Sequence, residues 1–324
     1  MHNAFLFPGQ GSQYVGMGKD YYDQLDSAKE RYHTASEILE FNLEDISFSG
    51  PEDTLRQTQY TQPAIFVHSI IVNDLLKEKD INPKAVAGHS LGEFSALVSA
   101  EVLTFEDALK IVKVRSTEMA NAGKISPGAM AAIIGADKEQ LEIICHQNGI
   151  VVPANMNAPG QAVISGDKIA VEAAINTAKE IGIRRALPLR VSGAFHSPLM
   201  RTAREPLLEI INSVNFRDAK IPVYQNIQAE PVTDYNILRE NILKQLENPV
   251  LWSDIILNMK KKLIVQKLNR IEKKISEKDK PQPPKKDNKP KADPNKIYDI
   301  ADAGSVVLGN PNAPVTVIKW TDFQ

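Results

Sequence analysis

The stretch AVAGHSLGEFSALVSA, residues 85–100, decides the fold of this chain. Its apolar start at 85–88 predicts a buried strand, and LGEFSALVSA at 91–100 predicts a helix. Between them, GHSLG at 88–92 fits the pattern G-x-S-x-G, in which glycines permit a sharp turn and the serine oxygen projects at the helix N-terminus. The strand before and the helix after favour a nucleophile elbow carrying Ser90, with a plain strand-to-helix turn as the alternative.

Strand-like and helical patterns alternate on both sides of this stretch. The strand-like runs lie at 4–7, 85–88, 130–135, 162–166 and 221–227, and the helical patterns at 65–76, 91–100, 105–119 and 169–182. Such alternation predicts an α/β fold with a mainly parallel sheet. Turn signals at Gly149 and Pro159-Gly160 indicate a compact insert in the middle of the chain.

The composition is that of an ordinary globular protein. The 324 residues are 43% hydrophobic and 24% charged, which excludes collagen-like, wholly disordered and disulfide-framework classes. A single cysteine, Cys145, forms no internal disulfide and favours a reducing compartment. We find neither an apolar run of about 18 residues nor a secretory signal, so the sequence predicts a cytoplasmic protein without a membrane span.

The charge is unevenly distributed along the chain. Residues 260–296 carry 14 Lys and Arg against five Asp and Glu, although the whole chain has a net charge of −2. The apolar residues Ile264, Leu268, Ile271 and Ile275 predict a short basic amphipathic helix, which a Pro/Lys-rich linker follows. Because no aromatic residue is interleaved with these charges, we interpret the segment as a solvated tether and predict no nucleic-acid partner.

A nucleophilic serine requires a base, and the chain has six histidines. His68 lies in an apolar helical pattern and is expected in the core, while His89 adjoins Ser90 and should point away from its hydroxyl. His196 lies in a loop after a strand-like segment, where catalytic groups commonly lie. By elimination it is the best candidate for the base. No Asp or Glu is placed to complete a Ser-Asp-His triad.

Two further features do not indicate a function when they are considered alone. FPGQGSQ at 7–13 follows the first predicted strand, and its backbone N–H groups could form an oxyanion hole or simply a tight turn. Arg115 lies on a predicted helix, where an arginine is usually solvated.

Together these motifs resemble one family. They occur in the order FPGQGSQ, TQPA (61–64), GHSLGE (88–93), Arg115, GAMAAIIG (128–135), NAPGQAVISG (157–166), GAFHS (193–197) and QLENPVLW (245–252). The chain from about residue 3 to 252 strongly resembles bacterial malonyl-CoA:acyl-carrier-protein transacylases of fatty-acid biosynthesis. The joint pattern is specific, although each motif alone is not.

The resemblance implies a two-step transfer through an acyl-serine. Ser90 is expected to attack the malonyl thioester, with His196 accepting its proton and later activating the thiol of acyl carrier protein. The backbone N–H groups of Gln10 and Leu91 are expected to form the oxyanion hole. Arg115 is expected to hold the malonyl carboxylate through paired hydrogen bonds.

Three more roles follow from the resemblance. The backbone carbonyl of Gln245 is expected to orient His196 in place of an acid. Phe195 is expected to disfavour an α-methyl group on the substrate, and Gln62 to lie near the site. Malonyl-CoA enters as a substrate, and neither a cofactor nor a metal is implied.

The resemblance also implies a domain organisation. An α/β-hydrolase-like core, residues 1–124 and 193–259, is expected to be interrupted by a ferredoxin-like small subdomain at 125–192. Residues 297–324 resemble the opening of a DsbA-like thiol oxidoreductase, of thioredoxin-like fold, without its Cys-x-x-Cys pair. Within them PVTVIKW, 314–320, predicts a strand.

After Trp252 the sequence departs from the family. A further strand, a G-P-G-x-V-L loop and a closing helix are not found, so we expect an unpaired sheet edge. One alternative is therefore a catalytically impaired fusion or misassembled fragment that binds CoA or the carrier without turnover. Another is a serine thioesterase or hydrolase, although water needs no carboxylate-binding arginine.

Overall fold

Nine strands form two separate sheets in a computed structural model that describes residues 2–262 and 315–318. The strands are β1 (His2–Phe7), β2 (Pro83–Gly88), β3 (Gly128–Ile134), β4 (Val151–Ala158), β5 (Gln161–Asp167), β6 (Arg185–Pro188), β7 (Val223–Tyr224), β8 (Pro231–Val232) and β9 (Val315–Ile318). The five-stranded sheet has the order β8-β7-β2-β1-β9, and the four-stranded sheet has the order β4-β5-β3-β6.

Helices separate most of the strands. They are α1 (Lys19–Gln24), α2 (Asp26–Leu39), α3 (Leu43–Ser49), α4 (Glu52–Leu55), α5 (Thr58–Glu78), α6 (Gly92–Ser99), α7 (Phe105–Ile125), α8 (Lys138–Cys145), α9 (Lys168–Glu180), α10 (Arg204–Ser213) and α11 (Tyr235–Lys244). Two 3-10 turns, Pro198–Ala203 and Gln245–Glu247, follow β6 and α11 respectively, and residues 252–262 are helical.

The five-stranded sheet is parallel except at β8, and both of its faces are covered. Side chains of β1 alternate between the faces, as strand geometry requires. Phe5 and Phe7 enter the larger apolar core with α5, α6 and α7, whereas Ala4 and Leu6 pack with Trp252 on the opposite face. The predicted α/β class with a mainly parallel sheet is confirmed.

The four-stranded sheet is antiparallel throughout and follows α7 in the chain. Its core consists mainly of alanines, isoleucines and valines, which pack against α8 and α9. On α9, Ala170, Ala174 and Ala178 recur every four residues, so one face of this helix is buried against the sheet. The proposed boundaries of the subdomains stay a prediction.

The periodic segments named between residues 4 and 182 are confirmed as helices and strands, but other elements were missed. β4 is absent from the predictions because VVPANMNA lacks alternation and contains Pro153. The predicted strand at 221–227 is shorter, since only Val223 and Tyr224 pair. The amphipathic helices α2, α8, α10 and α11 were also not predicted.

The sequence analysis expected an unpaired sheet edge, and at β1 the structure shows a paired strand instead. Residues His2–Phe5 pair in parallel with Val315–Ile318, so part of the predicted strand at 314–320 completes this sheet. Most of the predicted basic helix, the linker and the rest of the segment that was predicted to resemble a thiol oxidoreductase lie outside the described residues. Within the part of the chain that the structure describes, no helix has the length and apolar character to cross a membrane.

Candidate active site

The turn at Ser90 is a nucleophile elbow in its backbone geometry. Ser90 has a φ of 51°, in the left-handed region, between the end of β2 and the start of α6. A Cβ at Gly88 would lie 1.8 Å from the carbonyl carbon of Gly92, and one at Gly92 would lie 2.3 Å from the oxygen of Phe7. Only glycine fits both positions, which allows the strand and helix to approach so closely.

His196 is hydrogen-bonded directly to Ser90. Its Nε2 lies 2.8 Å from the Ser90 hydroxyl oxygen, and its Nδ1 lies 2.8 Å from the carbonyl oxygen of Gln245 and 3.2 Å from that of Asn248. Because two carbonyls face Nδ1, that nitrogen carries the proton, and Nε2 is left to accept from the serine. Burial, and then the charge of Arg115, lower the pKa of His196 to about 3. The imidazole is therefore neutral and able to act as a base.

Arg115 is buried beside the same hydroxyl, 1% exposed. One terminal nitrogen donates to the Gln62 side-chain oxygen at 2.6 Å. The other donates to the Gln245 side-chain oxygen at 2.8 Å and to the Ser90 hydroxyl at 3.0 Å. Burial lowers the pKa of Arg115 to about 10, and the Glu93 charge opposes this shift, so the guanidinium remains a cation near neutrality. Its direct side-chain partners are uncharged, which suits it to bind an anion.

The remaining predicted residues lie around this group. Among the described residues, the backbone N–H groups of Gln10 and Leu91 donate no hydrogen bond, so both are available to an oxyanion. The Gln10 side chain reaches Thr58 at 3.4 Å. Gln62 is buried on α5, and Phe195 lies in the larger core, next to His196 in the chain.

Two other histidines were assigned environments by sequence. His89 points away from Ser90, as expected: its Nε2 lies 2.9 Å from the Asn157 side-chain oxygen, and its ring packs on Trp252. His68 is only partly exposed on α5, outside the buried core clusters, and burial lowers its pKa to about 4. Its Nδ1 has no hydrogen-bond partner among the described residues.

Three polar residues behind the elbow were given no role by the sequence reasoning. Glu93, Gln225 and Asn226 are fully buried. Asn226 accepts from the Ser90 N–H at 2.7 Å and donates to the Gly88 carbonyl at 2.6 Å. The available signal was the polar pair Gln225-Asn226 following the buried β7, at the edge where parallel strands end.

A neutral histidine hydrogen-bonded to a serine nucleophile, with a buried arginine at the same oxygen, defines a serine acyltransferase site. The sequence model of the acyl transferase domain family matches residues 4–265, and the chain belongs to that family. Among residues 2–262 and 315–318, no group of three or more His, Cys, Asp or Glu side chains is arranged to hold a metal ion.

The relatives agree on one kind of enzyme. The chain is 44% identical to the malonyl CoA-acyl carrier protein transacylase of Bacillus subtilis, over 78% of this chain and 81% of the relative. It resembles the structure of an acyl carrier protein S-malonyltransferase from Vibrio cholerae with a TM-score of 0.77 and 39% identity, covering 81% of this chain and 87% of the other. A malonyl-transacylase in complex with a type II PKS acyl-carrier protein matches with a TM-score of 0.74 and 38% identity, covering 78% and 83%.

Proposed function

We propose that this chain transfers a malonyl group from malonyl-CoA to the phosphopantetheine thiol of acyl carrier protein, through a malonyl-serine, in cytoplasmic fatty-acid biosynthesis. The observation that carries the proposal is the buried Arg115 cation, 3.0 Å from the hydroxyl that also faces His196. The names of the matched relatives support the same donor and acceptor.

In the first step the Ser90 oxygen attacks the thioester carbonyl while its proton passes to His196 Nε2. The carbonyl oxygen gains negative charge, which the N–H groups of Gln10 and Leu91 stabilise. The Gln245 carbonyl, at 2.8 Å from Nδ1, stabilises the imidazolium that forms. Collapse expels the CoA thiolate, which takes the proton from His196, so the enzyme is left as a malonyl-serine with a neutral His196.

Arg115 selects the acyl group. Its two terminal nitrogens exchange Gln62 and Gln245 for the two oxygens of the malonyl carboxylate, a bidentate geometry that a planar guanidinium favours. This contact anchors the end of the acyl group remote from the reacting carbon. We propose that Phe195 limits substitution at the carbon between the two carbonyl groups.

The second step is the reverse chemistry with a different thiol. His196 removes the proton of the carrier's thiol, whose sulfur attacks the acyl-serine, and the proton returns to the Ser90 oxygen as the ester bond breaks. Nucleophile, base and carboxylate-binding group are all side chains of this chain. We therefore propose that the reaction uses no resident cofactor, malonyl-CoA being a substrate.

The alternatives make different predictions. A thioesterase would not need the buried cation at the serine, so Arg115 favours transfer of a carboxylated acyl group. An impaired fusion would bind malonyl-CoA without forming an ester. The direct Ser90–His196 contact favours turnover over binding alone.

Intact mass of the full chain after brief exposure to malonyl-CoA tests the proposal, with Ser90→Ala as the control. We expect a single malonyl adduct on the parent, none on the variant, and loss of the adduct when acyl carrier protein is added. Release of malonate at the same rate without the carrier would indicate a hydrolase. A folded parent chain without an adduct would contradict the proposal.

A further inference from the structure

The backbone of Ser90 is held by two side-chain amides. Ser90 has a φ of 51°, and its carbonyl oxygen accepts one backbone hydrogen bond, from the Glu93 N–H at 3.2 Å. The Asn226 side-chain oxygen accepts the Ser90 N–H at 2.7 Å, and the Gln245 side-chain nitrogen donates to the Ser90 carbonyl at 3.0 Å. Asn226 and Gln245 therefore fix the orientation of the strained residue.

Both amide-bearing residues are anchored on Glu93. One oxygen of its carboxylate accepts the Asn226 backbone N–H at 2.9 Å and the Gln245 side-chain nitrogen at 3.1 Å. The other oxygen accepts the Gln225 side-chain nitrogen at 2.9 Å. Glu93 lies three positions after Ser90, on the first turn of α6, and is 0% exposed. A single buried carboxylate thus connects the helix of the elbow to both residues that hold the nucleophile.

The charge of this carboxylate is matched to its surroundings. All three of its partners donate, which suits the ionised form because a protonated carboxyl would itself need an acceptor. Burial raises the pKa of Glu93, while these donors and the charge of Arg115 oppose that shift. The Gln245 amide lies between the two charges, donating to Glu93 and accepting from Arg115 at 2.8 Å.

We propose that Glu93 is the positioning residue of the nucleophile: through Asn226 and Gln245 it holds the Ser90 hydroxyl on the line between His196 and the acyl carbon. Glu93 touches neither the substrate nor the reacting atoms. The inference rests on the proposed acyl transfer and adds to it the group that keeps the elbow aligned. A displacement of a reacting atom by about 1 Å can cost a hundredfold in rate.

Two substitutions of Glu93 separate positioning from packing. Glu93→Gln keeps one oxygen for Asn226 and Gln245 but directs an amide N–H₂ at the donating Gln225. Glu93→Met has a similar length and no strong acceptor. We expect kcat for malonyl transfer to fall about tenfold in the first and about a hundredfold in the second, with KM within about threefold of the parent. Glu44→Gln, at a partly buried glutamate that bonds to Ser36, is the matched control and should keep the parental kcat.

A second readout follows the serine itself. Labelling of Ser90 by phenylmethanesulfonyl fluoride requires neither CoA nor the Arg115 contact, and its rate per folded molecule should fall in parallel with kcat. A role confined to packing would lower the melting temperature and leave both rates unchanged at temperatures where the variant is folded. That result, or a parental kcat in folded Glu93→Met, would overturn the inference.

The remaining outcomes also decide the question. If Glu93→Met does not fold, Glu93→Gln is decisive, and parental kcat and labelling rates in that variant would overturn the inference. If the parent chain forms no malonyl adduct, the proposed transfer fails, yet labelling that depends on Glu93 would still support its positioning role. The two proposals can therefore fail separately.

Discussion

The side chains buried around the two sheets of this protein differ in polarity. In the four-stranded antiparallel region, residues 128–188, Ser165 is the one buried polar side chain. Around the five-stranded sheet, by contrast, a cation, a carboxylate, a histidine and several amides are fully or nearly buried. Extensive burial of polar side chains is thus confined to the region around the five-stranded sheet.

Strand direction explains the difference. β1, β2 and β7 are parallel neighbours, so their carboxyl ends meet at one edge of the sheet. The segments that leave these three ends carry Gln10, Ser90 and Asn226, which therefore converge. Antiparallel strands end alternately at opposite edges, and the four-stranded sheet has no comparable convergence. Parallel order places the reactive groups together, and the antiparallel sheet contributes packing.

Removal of the buried cation should have the largest effect on activity. Arg115→Ala should lower kcat/KM for malonyl transfer about a thousandfold, equivalent to about 4 kcal/mol, because the substrate carboxylate loses the cation that we propose binds it. Transfer of an acetyl group should stay within about tenfold of the parent. The check is steady-state transfer from malonyl-CoA and acetyl-CoA. Arg115→Lys is the matched variant, because it keeps the positive charge but cannot make the paired hydrogen bonds of a guanidinium. An unchanged preference for malonyl would remove this role from Arg115.

A substitution in the other core should act only on stability. Ile164→Ala, at a fully buried position of β5, should lower the free energy of unfolding by about 3 kcal/mol, since it leaves a cavity. Chemical denaturation measures the loss, and kcat per folded molecule should be unchanged. Ile169→Ala is the control, because that side chain is 82% exposed. A large drop in kcat for Ile164→Ala would show that the two regions are not separable in function.

The edge strand β9 should be sensitive to proline at alternate positions. Successive N–H groups in a strand point to opposite sides, so only one of Thr316→Pro and Val317→Pro removes a hydrogen bond to β1. That variant should lose about 1–2 kcal/mol of stability, and the other should serve as its control. Thermal melting of both variants gives the comparison. Equal melting temperatures would contradict the pairing.

The polar interior should also make stability depend on pH. Burial holds the pKa of His196 at about 3 and that of His68 at about 4, both below the value of about 6.5 expected in the unfolded chain. Between about pH 4 and 6.5 the unfolded state therefore binds protons that the folded state does not, and stability falls as the pH falls, by up to about 1.4 kcal/mol per pH unit for each histidine.

Urea unfolding across this range measures the slope. His68→Gln should reduce it, whereas His33→Gln should leave it unchanged, because the His33 side chain is 77% exposed. An equal slope in the parent and in His68→Gln would show that His68 does not take part.

The sequence predicted the elements whose pattern is local. The strand-elbow-helix at 85–100 was readable because its glycines and apolar runs lie within one short stretch. β4 was missed because Pro153 and its asparagines conceal the strand, although its partner β5 follows it directly in the chain. His196 emerged by elimination and by resemblance, since 106 positions separate it from Ser90.

What the sequence determined by itself is the alternation of elements, the serine at the elbow and the family to which the motifs point. Tertiary structure alone decided that Arg115 is buried rather than solvated, that Glu93 connects the two amides, and that Val315–Ile318 completes the sheet. The physical reason is the range of each effect. Periodicity and turn chemistry act between near neighbours in the chain, whereas burial of a charge or pairing at an edge depends on groups that only the folded chain brings together.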